Sequence, residues 1–185
     1  MTAHAQSRGF TLIELIVALA IVALLLLLGM PSFNTFVRNS EIRSTAESII
    51  NGLRVASTQA ANLNRPVTFS LKGGAGVSWT GWDVTYVDED GNPQMVQQYS
   101  RKEAGSSTKV DSGGQFSVSF SGVGRVVNQG ILPNDHIQLI DIASVVSGEA
   151  RPLRIIVDDP LPGSKRGLRM CDPALAALTD PRACS

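Results

Sequence analysis

The chain has 185 residues, 43% of them hydrophobic and 17% charged, and its 16 basic and 16 acidic side chains leave no formal net charge. That length accommodates one modest domain plus an accessory segment, and the balanced charge excludes a global field that would draw the chain to nucleic acid or acidic lipid. Any such role would have to sit in a local patch.

Residues 1–9, MTAHAQSRG, are polar, with Arg8 as their only firmly positive side chain. From Phe10 to Met30 the sequence is apolar apart from Thr11 and Glu14. As a helix at about 1.5 Å per residue this run reaches roughly 30 Å, which matches a bilayer core. A secretory signal would be shorter and would end in small residues at a cleavage site. No such site follows Met30, so a retained span over residues 10–31 is predicted. Arg8 on its flank predicts a cytoplasmic N-terminus with the rest of the chain outside. Glu14 does not suit a plain anchor, because a carboxylate in hydrocarbon costs about 2.5–3.5 kcal/mol unless something partners it.

Pro31 ends the apolar run and bends a helix rather than forbidding it. Beyond it Ile42, Ala46, Ile49, Ile50, Leu53, Ala56 and Ala60 recur at three- and four-residue steps, with Arg43, Glu47 and Arg54 between them. This pattern predicts an amphipathic helix. It fades at Asn62–Asn64, because Arg65 precedes Pro66 and is pushed toward extended geometry. One long helix results, half in a membrane and half lying on a domain.

From Pro66 onward short β-like runs alternate with glycine-rich turns. The predicted strands are Val67–Leu71, Trp82–Val87, Met95–Ser100, Phe116–Phe120, Arg125–Val127, Ile137–Ile142 and Leu153–Val157. Asp90-Gly91 marks a hairpin between two of them. The expected fold class is α+β, with antiparallel strands packed on the apolar face of the helix spine. No second domain boundary and no repeat interrupts residues 32–185.

Catalytic and metal signatures are poor. Ser106-Ser107-Thr108-Lys109 satisfies S-x-x-K in form only, among small polar residues that read as a loop. Asp88, Asp90 and Gly91 hint at a calcium loop, but setting Gly91 at its sixth position puts Tyr86 first and Gln97 twelfth, where acids are needed. It is a turn. His136 has no neighbouring His or Cys, and His4 lies in the polar segment ahead of the apolar run. Trp79 and Trp82 are too few for a base-stacking platform and are expected to cover the core. No enzyme activity, metal or cofactor is expected. Cys171 and Cys184 would pair in an exported domain and stay reduced in a cytosolic one, so the compartment decides.

The junction Arg8-Gly9 followed by Phe10-Thr11-Leu12-Ile13-Glu14-Leu15 resembles the class III signal of type IV pilins and pseudopilins, without a gap. The resemblance implies a leader at residues 1–9, cleavage after Gly9 by a prepilin peptidase, and N-methylation of Phe10. Cleavage would leave a cationic amino group at Phe10, and in a bundle of such helices the amine of one subunit can meet Glu14 of another. Losing one partner of a buried pair is far costlier than losing an exposed one, so Glu14 would set the register of assembly.

The later segments Asn64-Arg65-Pro66, Gly81-Trp82-Asp83-Val84 leading to Asp88–Gly91, and Phe120-Ser121-Gly122-Val123-Gly124-Arg125 are similar, in that order, to the GspH/FimT family of minor pilins and pseudopilins. This resemblance implies the type IV pilin fold with a C-terminal disulfide loop joining Cys171 to Cys184. Such a bridge stabilises by about 3 kcal/mol in the chain-entropy view. It implies a minor type IV pilin, anchored in the inner membrane with a periplasmic domain and then built into, or priming, a pilus. Its partners would be membrane lipid before assembly, other minor and major pilins, the prepilin peptidase and an inner-membrane assembly platform. Two alternatives share the scaffold: a type II secretion pseudopilin, and a FimT-like DNA receptor for DNA uptake. For the latter the family pattern resembles Gly-Arg-x-Arg. Here only Arg169, after Gly167, falls in place, with Lys165 and Arg166 as substitute phosphate contacts.

Overall fold

The computed structural model of the protein describes residues 9–73, 79–101, 108–127, 136–146, 150–158, 167–175 and 180–184; the side chains of residues 28–32 lie outside that description. The chain divides into two compact units, the boundary falling between Val37 and Arg38.

Helix α1, Leu12–Leu63, contributes to both units. It starts at a capping residue: the N–H of Glu14 donates to Thr11 Oγ1 at 3.3 Å, and Leu15 N–H donates to the Thr11 carbonyl at 3.2 Å. Thr11 and Glu14 thus occupy the two ends of a T-x-x-E capping box. In the first unit the large apolar side chains from Leu12 to Leu27 are exposed all round. In the second unit the seven positions expected to face a domain are buried, each 7% exposed or less. The helix ends where expected. Asn64 takes a left-handed φ of 49°, Arg65 N–H reaches the Ala60 carbonyl at 3.3 Å and Asn64 N–H reaches Ala61 at 3.4 Å. These are the two bonds of a Schellman cap, with Pro66 stopping the helix just beyond.

Nine described strands follow: β1 Val67–Gly73, β2 Trp79–Val87, β3 Pro93–Ser100, β4 Thr108–Asp111, β5 Ser117–Phe120, β6 Val126–Val127, β7 Leu139–Ser144, β8 Leu153–Ile156 and β9 Arg169–Cys171. They form two sheets, β3-β2-β1-β5-β6 and β4-β7-β8-β9, and all their neighbours pair antiparallel. Alternation puts Val67, Phe69, Val84, Val118 and Phe120 of the first sheet into one core with Val110, Ile140, Ile142 and Ile155 of the second. The buried stripe of α1 belongs to that same core.

All seven expected strands are present with shifted ends. Two were not anticipated. β4 has a single apolar residue, Val110, so its alternation is too short to register, and the expected loop at Ser106–Lys109 is corrected in that Thr108 and Lys109 open this strand. Ser106 lies outside the described residues. β9 is three residues long and is held by pairing Met170 to Ile155 rather than by any pattern of its own.

Candidate assembly site

The expected processing junction is exposed among the described residues. Gly9 has nothing within contact distance of where a side chain would begin, and Phe10 is 83% exposed. One turn on, Glu14 stands at the third position of the helix with its backbone N–H satisfied by Thr11. Among the described residues nothing hydrogen-bonds or ion-pairs with its carboxylate. An acid in the first turn also favours the helix through its dipole. The capping box is legible as T-x-x-E, but a lone acid in an apolar run points first to lipid and to a neighbouring amine rather than to the helix's own N-terminus.

The family-like segments of the domain turn out to be fasteners between helix and sheet. Trp82 Nε1 donates to Ser48 Oγ on α1 at 3.0 Å, and the Trp82 ring lies 5.8 Å from that of Phe69. A Cβ at Gly52 of α1 would stand 2.8 Å from Phe69 and 3.0 Å from Trp82, so the absence of a side chain there sets how closely the helix approaches. The turn between β5 and β6 clasps the far end of the same helix. Ser57 Oγ donates to the Gly124 carbonyl at 2.8 Å, Gly124 has φ 74°, and a Cβ on Gly122 would fall 2.8 Å from the Asn64 backbone. A side chain at Gly122 would have to displace the cap of α1, and one at Gly124 would be strained by its positive φ while crowding Ser57.

Asp88, from the calcium-like stretch, spends its carboxylate on the β2–β3 turn. It accepts from the N–H of Asn92 at 2.8 Å, the N–H of Asp90 at 3.0 Å and Gln94 Nε2 at 2.8 Å. These bonds, Asn92 foremost, hold its pKa below the ordinary carboxylate value. His136 is half-buried beside Ser112, Gln115 and Gln138.

At the C-terminal end Cys171 and Cys184 form a disulfide, with Cα atoms 5.1 Å apart. The bridge is seconded by backbone pairing of Asp172 with Ala183 and by Asp172 N–H donating to the Arg182 carbonyl at 2.7 Å. Arg182 holds Asp180 at 2.7 Å and lowers its pKa to about 2. Of the basic side chains between 151 and 169, Arg154 is committed to Asp141 through two bonds of 2.6 and 2.8 Å. Arg169 sits in β9 opposite Ile156, whereas Lys165 and Arg166 lie outside the described residues. The segment therefore offers phosphate fewer uncommitted cations than its composition suggests. Neither the Asp141 pair nor the Asp172 pairing had a sequence signal, since the first depends on the register of β7 with β8 and the second on how the disulfide loop closes.

Among the described residues no helix is long and apolar enough to cross a membrane. The described side chains of the apolar run stop at Leu27, and the run itself continues in the sequence to Met30.

No curated protein matches this chain. Its fold is similar to the crystal structure of the Pseudomonas aeruginosa type IV minor pilin FimU at 15% identity, covering 65% of this chain and 86% of that one, with a TM-score of 0.46. Residues 4–30 match the prokaryotic N-terminal methylation motif, and residues 45–159 match the family described as type II transport protein GspH. That motif implies anchoring in the inner membrane and then entry into a pilus or pseudopilus. With more than half its length matched, the chain belongs to the GspH family of pilins and pseudopilins, whose members are structural subunits and not enzymes.

Proposed function

We propose that this chain is a minor type IV pilin, cleaved after Gly9, N-methylated on Phe10 and inserted with its N-terminus cytoplasmic and residues 32–185 periplasmic. Residues 1–9 are then the leader and residues 10–31 the membrane and assembly segment. The observation that carries the reading is the exposed apolar run from Leu12 to Leu27, whose single carboxylate, Glu14, has no partner within the described chain. Lipid satisfies such a surface before assembly, and the same run on neighbouring subunits satisfies it afterward. Only the second environment gives Glu14 a cation, the amine freed at Phe10.

Intact-mass measurement on protein purified from membranes tests this directly. The expected mass lacks residues 1–9, carries one added methyl group and is two hydrogens short for the disulfide. Retention of the leader in a host that has the peptidase would overturn the reading.

The family's own description favours a second reading, a pseudopilin of type II secretion. Deleting the gene separates them: a pilin mutant loses surface fibres and keeps exoprotein release, and a pseudopilin mutant does the reverse. DNA contact through Lys165, Arg166 and Arg169 ranks below both, because Arg154 is spent on Asp141 and the whole chain is neutral. Salt-sensitive retardation of duplex DNA, lost on reversing those three charges, would raise it.

A further inference from the structure

Strands β7 and β8 are joined at the end of the second unit where α1 enters it. The N–H of Arg151 donates to Asn39 Oδ1 at 2.8 Å, and Asn39 is the second residue of that unit. β7 ends at Ser144 and β8 begins at Leu153, two residues after Arg151. β4 starts at the same end, since Thr108 pairs with Ser144 and Lys109 with Ala143.

This end shows solvent two neighbouring valines and two cations. Val145 and Val146 are 48% and 46% exposed, in a turn where Ser144 Oγ accepts from the Val146 N–H at 3.2 Å. Lys109 and Arg151 are exposed as well, and among the described residues no carboxylate pairs with either side chain. Glu149, on the same connection, lies outside the described residues.

The chain itself says what lies beside them. Exposed apolar side chains continue along α1 beyond Pro31 as Phe33, Phe36 and Val37, with Asn34 and Thr35 between them. Aromatic and polar residues mixed in this way and followed by an arginine, here Arg38, suit the headgroup layer of a bilayer. Asn39, which holds Arg151, is the next residue. The lipid-compatible surface of α1 therefore runs in sequence up to the end of the unit that carries the valines.

We propose that this end of the second unit is a membrane-surface contact, in which Val145 and Val146 enter the headgroup layer while Lys109 and Arg151 take lipid phosphates. The inference rests on anchoring through the apolar run, which holds the contact next to lipid at high effective concentration. A stable protein partner needs at least about 1,200 Å² of buried surface, far more than two valines and two cations supply. A tethered domain needs much less. Weakness also suits a subunit that has to leave the bilayer for a pilus or pseudopilus: the contact orients the domain and then lets go.

The test uses the full chain in vesicles of phosphatidylethanolamine and phosphatidylglycerol, some of whose lipids carry bromine near the headgroup. Bromine quenches an indole on contact, and the native Trp79 and Trp82, at most 3% exposed, give a constant background. The added emission of Val146→Trp is expected to be quenched. That of Val123→Trp, 73% exposed in the turn beside the far end of α1, is expected to escape. Lys109→Glu with Arg151→Glu should weaken the quenching about twofold at low salt, and unchanged quenching overturns the part given to these two cations. Val145→Trp repeats the measurement should Val146→Trp fail to give the parent circular dichroism. Flotation with the vesicles reports anchoring separately. A chain that floats with neither valine variant quenched overturns the contact alone, and a chain that does not float overturns the anchoring and the contact with it. Equal quenching of Val123→Trp overturns the contact, because the domain then meets lipid in no fixed pose. Emission of Val146→Trp that escapes bromine and shifts to the blue as protein is crowded into the vesicles overturns it in favour of a second copy.

Discussion

The two halves of α1 share one backbone geometry and differ in everything else. From Leu12 to Leu27 every large side chain except Glu14 is apolar, and all are exposed, so the apolar surface prefers no direction around the axis. From Ile42 to Ala60 the apolar residues keep to one stripe, and that stripe lies in the core with both sheets. A stripe specifies a single docked orientation, because rotating the helix would exchange Leu53 for Arg54. A uniform apolar surface specifies only a medium, and orientation within that medium has to come from elsewhere. Glu14 is the one side chain of the first half able to supply it.

Changes on either side of this contrast should therefore fail differently. Glu14→Ala is expected to have the largest effect, abolishing recovery in sheared fibres or pseudopili while membrane fractions hold normal amounts. Equal recovery of mutant and parent in fibres would show that the first half needs no orienting charge. Leu53→Ala, in the buried stripe, should cost about 3–5 kcal/mol of unfolding free energy, read by urea titration, with insertion unaffected. Replacing both Cys171 and Cys184 by serine is expected to cost about 3 kcal/mol and to leave the core packing as it is. Gly124→Val should cost about 1–3 kcal/mol, since a β-branched residue is forced to positive φ against Ser57.

The smallest effect concerns acid. Asp180 titrates at about 2 in the folded chain against 3.8 ordinarily, chiefly because Arg182 hydrogen-bonds its charged form. A depressed carboxylate contributes its stability above the ordinary value and loses it as pH falls through the lowered one. The contribution is thus complete above about pH 4 and vanishes as pH falls through about 2. NMR titration of the Asp180 carboxyl should place its midpoint at about 2, and Arg182→Ala should raise it only part of the way toward 3.8, because the backbone N–H of residue 182 still donates to it.

Much of this was legible beforehand where the signal was local. The stripe Ile42–Ala60, the cap before Pro66, the hairpin at Asp90-Gly91 and the inward-facing tryptophans follow from periodicity, backbone sterics and turn chemistry. The division of the strands into two sheets did not follow, because it depends on which short strands become neighbours. β4 and β9 acquire their conformation from β7 and β8, across long separations in the chain. The glycines of the family-like segments were visible as motifs, but their reason was not. Contact of Gly122 with Asn64 and of Gly124 with Ser57 exists only once helix and sheet have met.

The two tryptophans carry a consequence for anyone following the unfolding of this protein. Both are at most 3% exposed, both stack on Tyr99 at 6.2 and 6.0 Å, and Arg101 lies 5.5 Å over the Trp79 ring. Every indole chromophore is thus gathered at one corner, where β2, β3 and Tyr99 come together. Intrinsic emission will report when that corner wets and will be blind to the opposite sheet, so a partial opening near the disulfide would pass unseen by fluorescence and needs a probe of its own.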